Sequence, residues 1–157
     1  MAYVGVSESA VFDPNDAAED CLITYLSVMQ ETGRKPEFIN SLPNLSRPQR
    51  IKVIREYFEA HGCPDAILCL HDEIAIITYH TLLDCGYRIP QDVTLAGCEG
   101  LFMMECFEPP LSTINQHLEE ACELTWQFLQ NRIVTPTLPL QQRTFEAKLM
   151  VRKSLQP

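Results

Sequence analysis

Pro64-Asp65-Ala66-Ile67-Leu68-Cys69-Leu70-His71-Asp72-Glu73-Ile74-Ala75 changes its hydrophobic period in mid-stretch. Ala66 to Leu70 is an unbroken apolar run, which reads as a strand buried on both faces and therefore central in a parallel sheet. His71 and Asp72 turn polar, and from Glu73 the pattern is helical as far as Cys85, with Gly86 as a stop. Asp72 suits the N-cap, where a side-chain oxygen takes a free N–H of the first turn.

Outward from this stretch the same alternation recurs. Tyr3 to Ser7 reads as a short buried strand. A helix starts at Asp13-Pro14 and runs to about Gln30, with Ala18, Leu22, Tyr25, Leu26 and Met29 on one face. Glu37 to Asn40 is a weak strand, and a second helix starts near Ser46, turns Ile51, Ile54 and Phe58 inward and ends at Gly62. Val93 to Ala96 is the next strand, entered through Pro90-Gln91-Asp92. Strands alternating with helices predict an α/β fold, a parallel sheet with helices on both faces. After Gly97 the rhythm breaks. Residues 100 to 110 are irregular, Leu111 to Ile114 is a strand, a helix spans about His117 to Gln130, and Phe145 to Arg152 is a last extended segment.

Composition narrows the function. At 157 residues with 46% hydrophobic and 21% charged side chains, the chain can bury one sizeable core. No apolar run approaches the ~20 residues that cross a bilayer, and the start lacks the basic and apolar regions of a signal peptide. The formal net charge of −9 repels phosphate, so this piece is not expected to bind nucleic acid itself. Arg47, Arg50, Lys52 and Arg55 form a local basic cluster, read as a solvated helix face. Seven cysteines without a Cys-x-x-Cys pair suit reduced thiols in the cytoplasm rather than a metal site or a disulfide framework. Glycine-rich phosphate loops, Gly-x-Ser-x-Gly elbows and His-Glu-x-x-His helices are absent, so no enzyme, metal or cofactor is expected.

Four blocks carry a resemblance. Residues 64 to 75, quoted above, are one. Gly86-Tyr87-Arg88-Ile89-Pro90-Gln91-Asp92-Val93-Thr94-Leu95-Ala96-Gly97 is the second, Pro109-Pro110-Leu111-Ser112-Thr113-Ile114-Asn115-Gln116 the third and Leu149-Met150-Val151-Arg152-Lys153-Ser154 the fourth. In this order and spacing they resemble the effector-binding domain of the lac-repressor and galactose-repressor family of bacterial transcriptional regulators. The resemblance implies a periplasmic-binding-protein-like type I fold, two α/β lobes with a small molecule clamped between them, of which this chain carries mainly the C-terminal lobe. Residues 1–115 then form that lobe, 116–144 a segment that in relatives returns to the N-terminal lobe, and 145–157 a closing strand and tail. On this reading the chain is truncated, naturally or by design, and its DNA reader is absent.

The same resemblance nominates ligand-binding residues. His71 stands where relatives have an asparagine at the strand end, Glu99 replaces the acid of a Gly-Phe-Asp-Asp block, and Gln116 keeps the family residue where the chain crosses past the cleft. Asp72 lies beside His71, with the helix cap as its competing role. Cys21 falls where relatives carry a ligand-gripping arginine, with simple packing as the alternative. The expected partners are a sugar-like or purine-like effector, a second copy of the chain in a homodimer, and DNA only through the absent N-terminal domain, with no membrane. A solute-binding protein of a transport system, sharing the fold, is the competing function. Half a cleft implies weak effector binding by this chain alone, because good sites bury ~70–90% of a ligand. Residues 117 to 130, with Leu118, Ala121, Cys122, Thr125, Phe128 and Leu129 on one face, are expected in a subunit contact.

Overall fold

The computed structural model describes residues 1–5, 20–42 and 44–156. Its centre is a six-stranded sheet made of β1 (Ala2–Gly5), β2 (Glu37–Asn40), β3 (Ala66–Cys69), β4 (Thr94–Glu99), β5 (Ser112–Asn115) and β6 (Lys148–Met150), in the order β2-β1-β3-β4-β5-β6. The first five strands are parallel; β6 closes the sheet antiparallel to β5. Tyr3 pairs with Leu68, so the strand expected at the centre is there, between β1 and β4.

The helices are α1 (Asp20–Glu31), α2 (Arg47–His61), α3 (Asp72–Asp84) and α4 (Leu118–Val134). The path β1-α1-β2 steps one way across the sheet, whereas β2-α2-β3 and β3-α3-β4 step the other way. Right-handed crossovers then put α1 on one face and α2 with α3 on the other. The direction reverses between β1 and β3, and at such a switch point the carboxyl ends of neighbouring strands diverge into a crevice.

Sequence chemistry accounts for these elements. Leu22, Tyr25 and Met29 recur at helical spacing on α1 and are buried; Tyr25 stacks on Tyr3, with ring centroids 5.3 Å apart. The Tyr25 hydroxyl donates to the Met1 carbonyl and accepts the Glu37 N–H, both at 2.9 Å, tying β1 to β2. Ser46 caps α2 in a box with Gln49, the Pro48 ring sits in the first turn, and Gly62 ends the helix with φ 80°. Ile54 and Phe58 of α2 are buried beneath α3. The tail is held by Ser154: its hydroxyl donates to the Leu95 carbonyl at 2.6 Å and accepts the Ser112 N–H at 2.8 Å.

Several expectations need adjusting. The start of α1 at Asp13-Pro14, and Ser7 of the first strand, lie outside the described residues. Asp72 is the first residue of α3, and His71 takes the N-cap place with no side-chain hydrogen bond to the helix. β4 runs on to Glu99 instead of stopping at Ala96, because Ser112–Asn115 supplies a neighbour along that length. On the basic face of α2, Arg50 lies 3.7 Å from Glu73, Lys52 3.7 Å from Glu56 and Arg55 3.5 Å from Asp84, with Lys52 and Arg55 exposed as a solvated face requires.

The helix α4 stands apart from this core. None of its residues is buried. Ala121, Leu124, Phe128 and Arg132 form its half-buried side, shielded by the following segment: Arg132 donates to the Leu138 carbonyl at 2.6 Å and Gln141 to the Phe128 carbonyl at 3.3 Å. The apolar face expected from the sequence is therefore partly covered by residues 138 to 145 of the same chain, while Leu118, Trp126, Leu129 and Ile133 remain exposed.

Candidate ligand site

The parallel order brings the carboxyl ends of β3, β4 and β5 to one edge. At the end of β3 the Leu70 N–H still bonds the Val4 carbonyl at 3.0 Å; His71 then leaves the sheet with extended backbone. At the end of β4, Glu99 takes φ 135°, a value that a side chain with a β-carbon rarely adopts. Gly100 follows at φ 85°, and a Cβ there would lie 2.8 Å from Asn115 Cα. Only glycine fits.

This kink puts Glu99 Oε1 3.3 Å from His71 Nδ1, with both side chains partly exposed. The pair sets a carboxylate and an imidazole side by side, both partly facing solvent at the strand ends. Beside it, Gln116 donates its backbone N–H to the Glu99 carbonyl at 3.4 Å, and its Nε2 lies 3.2 Å from Cys98 Sγ. Cys98 Sγ lies 3.6 Å from Cys21 Sγ, near the start of the described part of α1. The Cys98 thiol is pushed up from its ordinary pKa, first by the contact with Cys21 and then by burial. A recess of about 390 Å³ opens on the same edge, lined by Glu99, Gly100, Phe102, Asn115, Leu118 and Glu119 among others.

Four of the five nominated residues thus meet in two adjoining groups, His71 with Glu99 and Gln116 with Cys21 through Cys98. Asp72 goes elsewhere. It is fully buried, and its carboxylate accepts the Thr113 hydroxyl at 2.6 Å and the N–H groups of Gly100 and Leu101 at 3.0 and 2.7 Å. Those bonds hold the kink after Glu99 and leave the carboxylate no exposed surface for a ligand. Cys98, Thr113 and Asn115 escaped the sequence reading. The one signal for Thr113 was a pair of polar residues, Ser112-Thr113, inside an apolar strand; Cys98 resembled packing. Among the described residues no group of three or more His, Cys, Asp or Glu is placed to hold a metal ion.

Residues 1–155 match the periplasmic binding protein-like domain model. The ribose operon repressor of Haemophilus influenzae is 33% identical over 92 residues, which are 59% of this chain and 28% of that protein. A PurR-type transcriptional repressor of Photobacterium profundum is 27% identical over 107 residues, 67% of this chain and 31% of its own length. A LacI family transcriptional regulator from Arthrobacter sp. FB24, solved in complex with lactose, superposes with a TM-score of 0.80 at 21% identity, over 99% of this chain and 57% of that one. The matched stretches span under a third of the curated relatives. Those relatives are repressors rather than enzymes, and they agree with the resemblance drawn from the four sequence blocks.

Proposed function

The chain belongs to the periplasmic binding protein-like domain family, and from that premise we propose that it is a ligand-sensing lobe of a repressor-type transcriptional regulator. The observation that carries the reading is the convergence of His71, Glu99 and Gln116 at the carboxyl ends of three parallel strands. Fixed donors and acceptors on one edge suit a polyhydroxylated molecule, which is bound by several directed hydrogen bonds. Sugar and purine effectors are both compatible with that chemistry, and the ribose operon repressor among the relatives makes ribose the first probe. Binding would bias closure of this lobe against a second one and so alter DNA contact by a separate reader domain. The exposed side of α4 would meet that second lobe or a second copy of the chain.

The transport-type alternative finds less support. Seven cysteines, an odd number with no Cys-x-x-Cys pair, suit the cytoplasm better than an oxidising compartment.

The test is a nuclear magnetic resonance titration of the labelled chain with D-ribose, lactose and hypoxanthine at millimolar concentration. The expected result is weak binding by one of them, with shifts centred on His71, Glu99 and Gln116 and abolished in Glu99→Ala. Shifts confined to other surfaces, or none with any probe, would overturn the assignment of this edge.

A further inference from the structure

Two thiols of the core sit beside oxygen atoms. Cys69 is wholly buried against Thr78, and burial pushes its thiol up to about 12; Cys63 is pushed up to about 11 by burial and by Asp92. Each bonds an oxygen rather than another sulfur. The pair at the ligand edge differs. Cys21 and Cys98 are 77 residues apart in sequence, and folding places their sulfur atoms 3.6 Å apart. Cys21 is half-buried, whereas Cys98 is buried.

We propose that Cys21 and Cys98 form a peroxide-sensitive, reversible disulfide at the candidate ligand edge. The oxidant is hydrogen peroxide. The Cys21 sulfur attacks one peroxide oxygen, the O–O bond breaks, and a first water leaves with the thiol proton, giving a sulfenic acid on Cys21. The Cys98 sulfur then attacks the Cys21 sulfur. The S–O bond breaks, the departing hydroxide takes the Cys98 proton, and the second water leaves. Two thiols have lost two electrons and two protons, and one peroxide has become two waters. A dithiol reductant reverses the step by thiol–disulfide exchange.

The surroundings fit these roles. The first attack falls to Cys21, the less buried of the two residues. The second needs a sulfur held against the first, with a donor beside it that favours the deprotonated form. Gln116 Nε2, 3.2 Å from Cys98 Sγ, is that donor, and so acts as a positioning residue. The bond would fasten α1 to the end of β4, joining two walls of the proposed effector edge. The chemistry itself does not depend on the effector reading, so either can fail alone.

The experiment uses the full chain with Cys106→Ser and Cys122→Ser, which removes the two exposed thiols. One equivalent of hydrogen peroxide should lower the intact mass by two hydrogens, and peptide mapping should join the Cys21 and Cys98 peptides. Dithiothreitol should restore both. Gln116→Leu should slow crosslinking several-fold without changing its end point. Cys21→Ser should abolish it and leave Cys98 unoxidised; because the mapping is made on native Cys21 and Cys98, a poorly folded variant does not weaken the test. Gain of oxygen on Cys21 without a crosslink, or both thiols surviving while Cys63, Cys69 or Cys85 reacts, would overturn the proposal.

Discussion

The Asp72 carboxylate accepts the Thr113 hydroxyl at 2.6 Å, fastening the first turn of α3 to β5 across the end of β4. Its other oxygen takes the N–H groups of Gly100 and Leu101. A buried carboxylate is tolerable only when saturated in this way. Asp72→Ala leaves the Leu101 N–H and the Thr113 hydroxyl without their acceptor, while the Gly100 N–H keeps Thr113 Oγ1 at 3.1 Å, and hydrogen bonds to charged groups contribute about 1.5–3 kcal/mol each. The expected loss is at least 3 kcal/mol in urea unfolding, against about 1–2 kcal/mol for Thr113→Val. A near-normal midpoint for Asp72→Ala would contradict a structural role for this carboxylate.

Gly97 lies directly beneath that carboxylate. A Cβ there would collide with Asp72 Oδ1 and come within 3.1 Å of Ala75 Cβ, and neither neighbour is the loose end of a flexible chain. Gly97→Ala should therefore destabilise by roughly 1–3 kcal/mol, read as a lower thermal midpoint.

Glu99 holds a left-handed backbone that glycine adopts without strain. Glu99→Gly should keep or raise stability, by up to about 1 kcal/mol, while removing the partner of His71. Calorimetric unfolding alongside a ribose titration separates the two effects. A destabilised Glu99→Gly would mean that the carboxylate contributes more than its backbone costs.

The turn into β4 carries a pH-dependent clasp. Arg88 pairs with Asp92 at 2.7 and 2.9 Å, and Asp92 also takes the Arg88 N–H, so its carboxyl falls from 3.8 to about 2. A carboxyl depressed in the folded state adds stability that is fully present above the unfolded value and is lost as pH falls through the folded one. The contribution should thus fade between about pH 4 and pH 2. It is small, because the pair is solvent-exposed and screened. Asp92→Asn should lower neutral stability slightly and flatten the acid limb over that window by the same small amount.

Helix α4 exposes Leu118, Trp126, Leu129 and Ile133. Large apolar side chains left in water forgo about 1.5–3 kcal/mol each, so the chain should self-associate in sedimentation experiments. Leu129→Glu with Ile133→Glu should give monomers. A wild-type chain that stays monomeric at high concentration would remove α4 as a subunit contact.

The sequence by itself determined the order of strands and helices, because each element announces its period and its stops over a few neighbouring residues. Ala66–Leu70 declares a strand buried on both faces, and Leu22, Tyr25 and Met29 declare one side of a helix, before any partner is known. The four blocks also carry the family resemblance, and that resemblance nominated His71, Glu99 and Gln116. Only the tertiary structure decided what those polar groups do. Asp72 looks the same in sequence whether it caps a helix, meets a ligand or pins a loop; the choice rests on Gly100, Leu101 and Thr113, which lie 28 to 41 residues away. Cys21 and Cys98 likewise acquire a shared chemistry only when α1 and β4 pack, because contact between side chains 77 residues apart is a property of the fold and not of any local pattern.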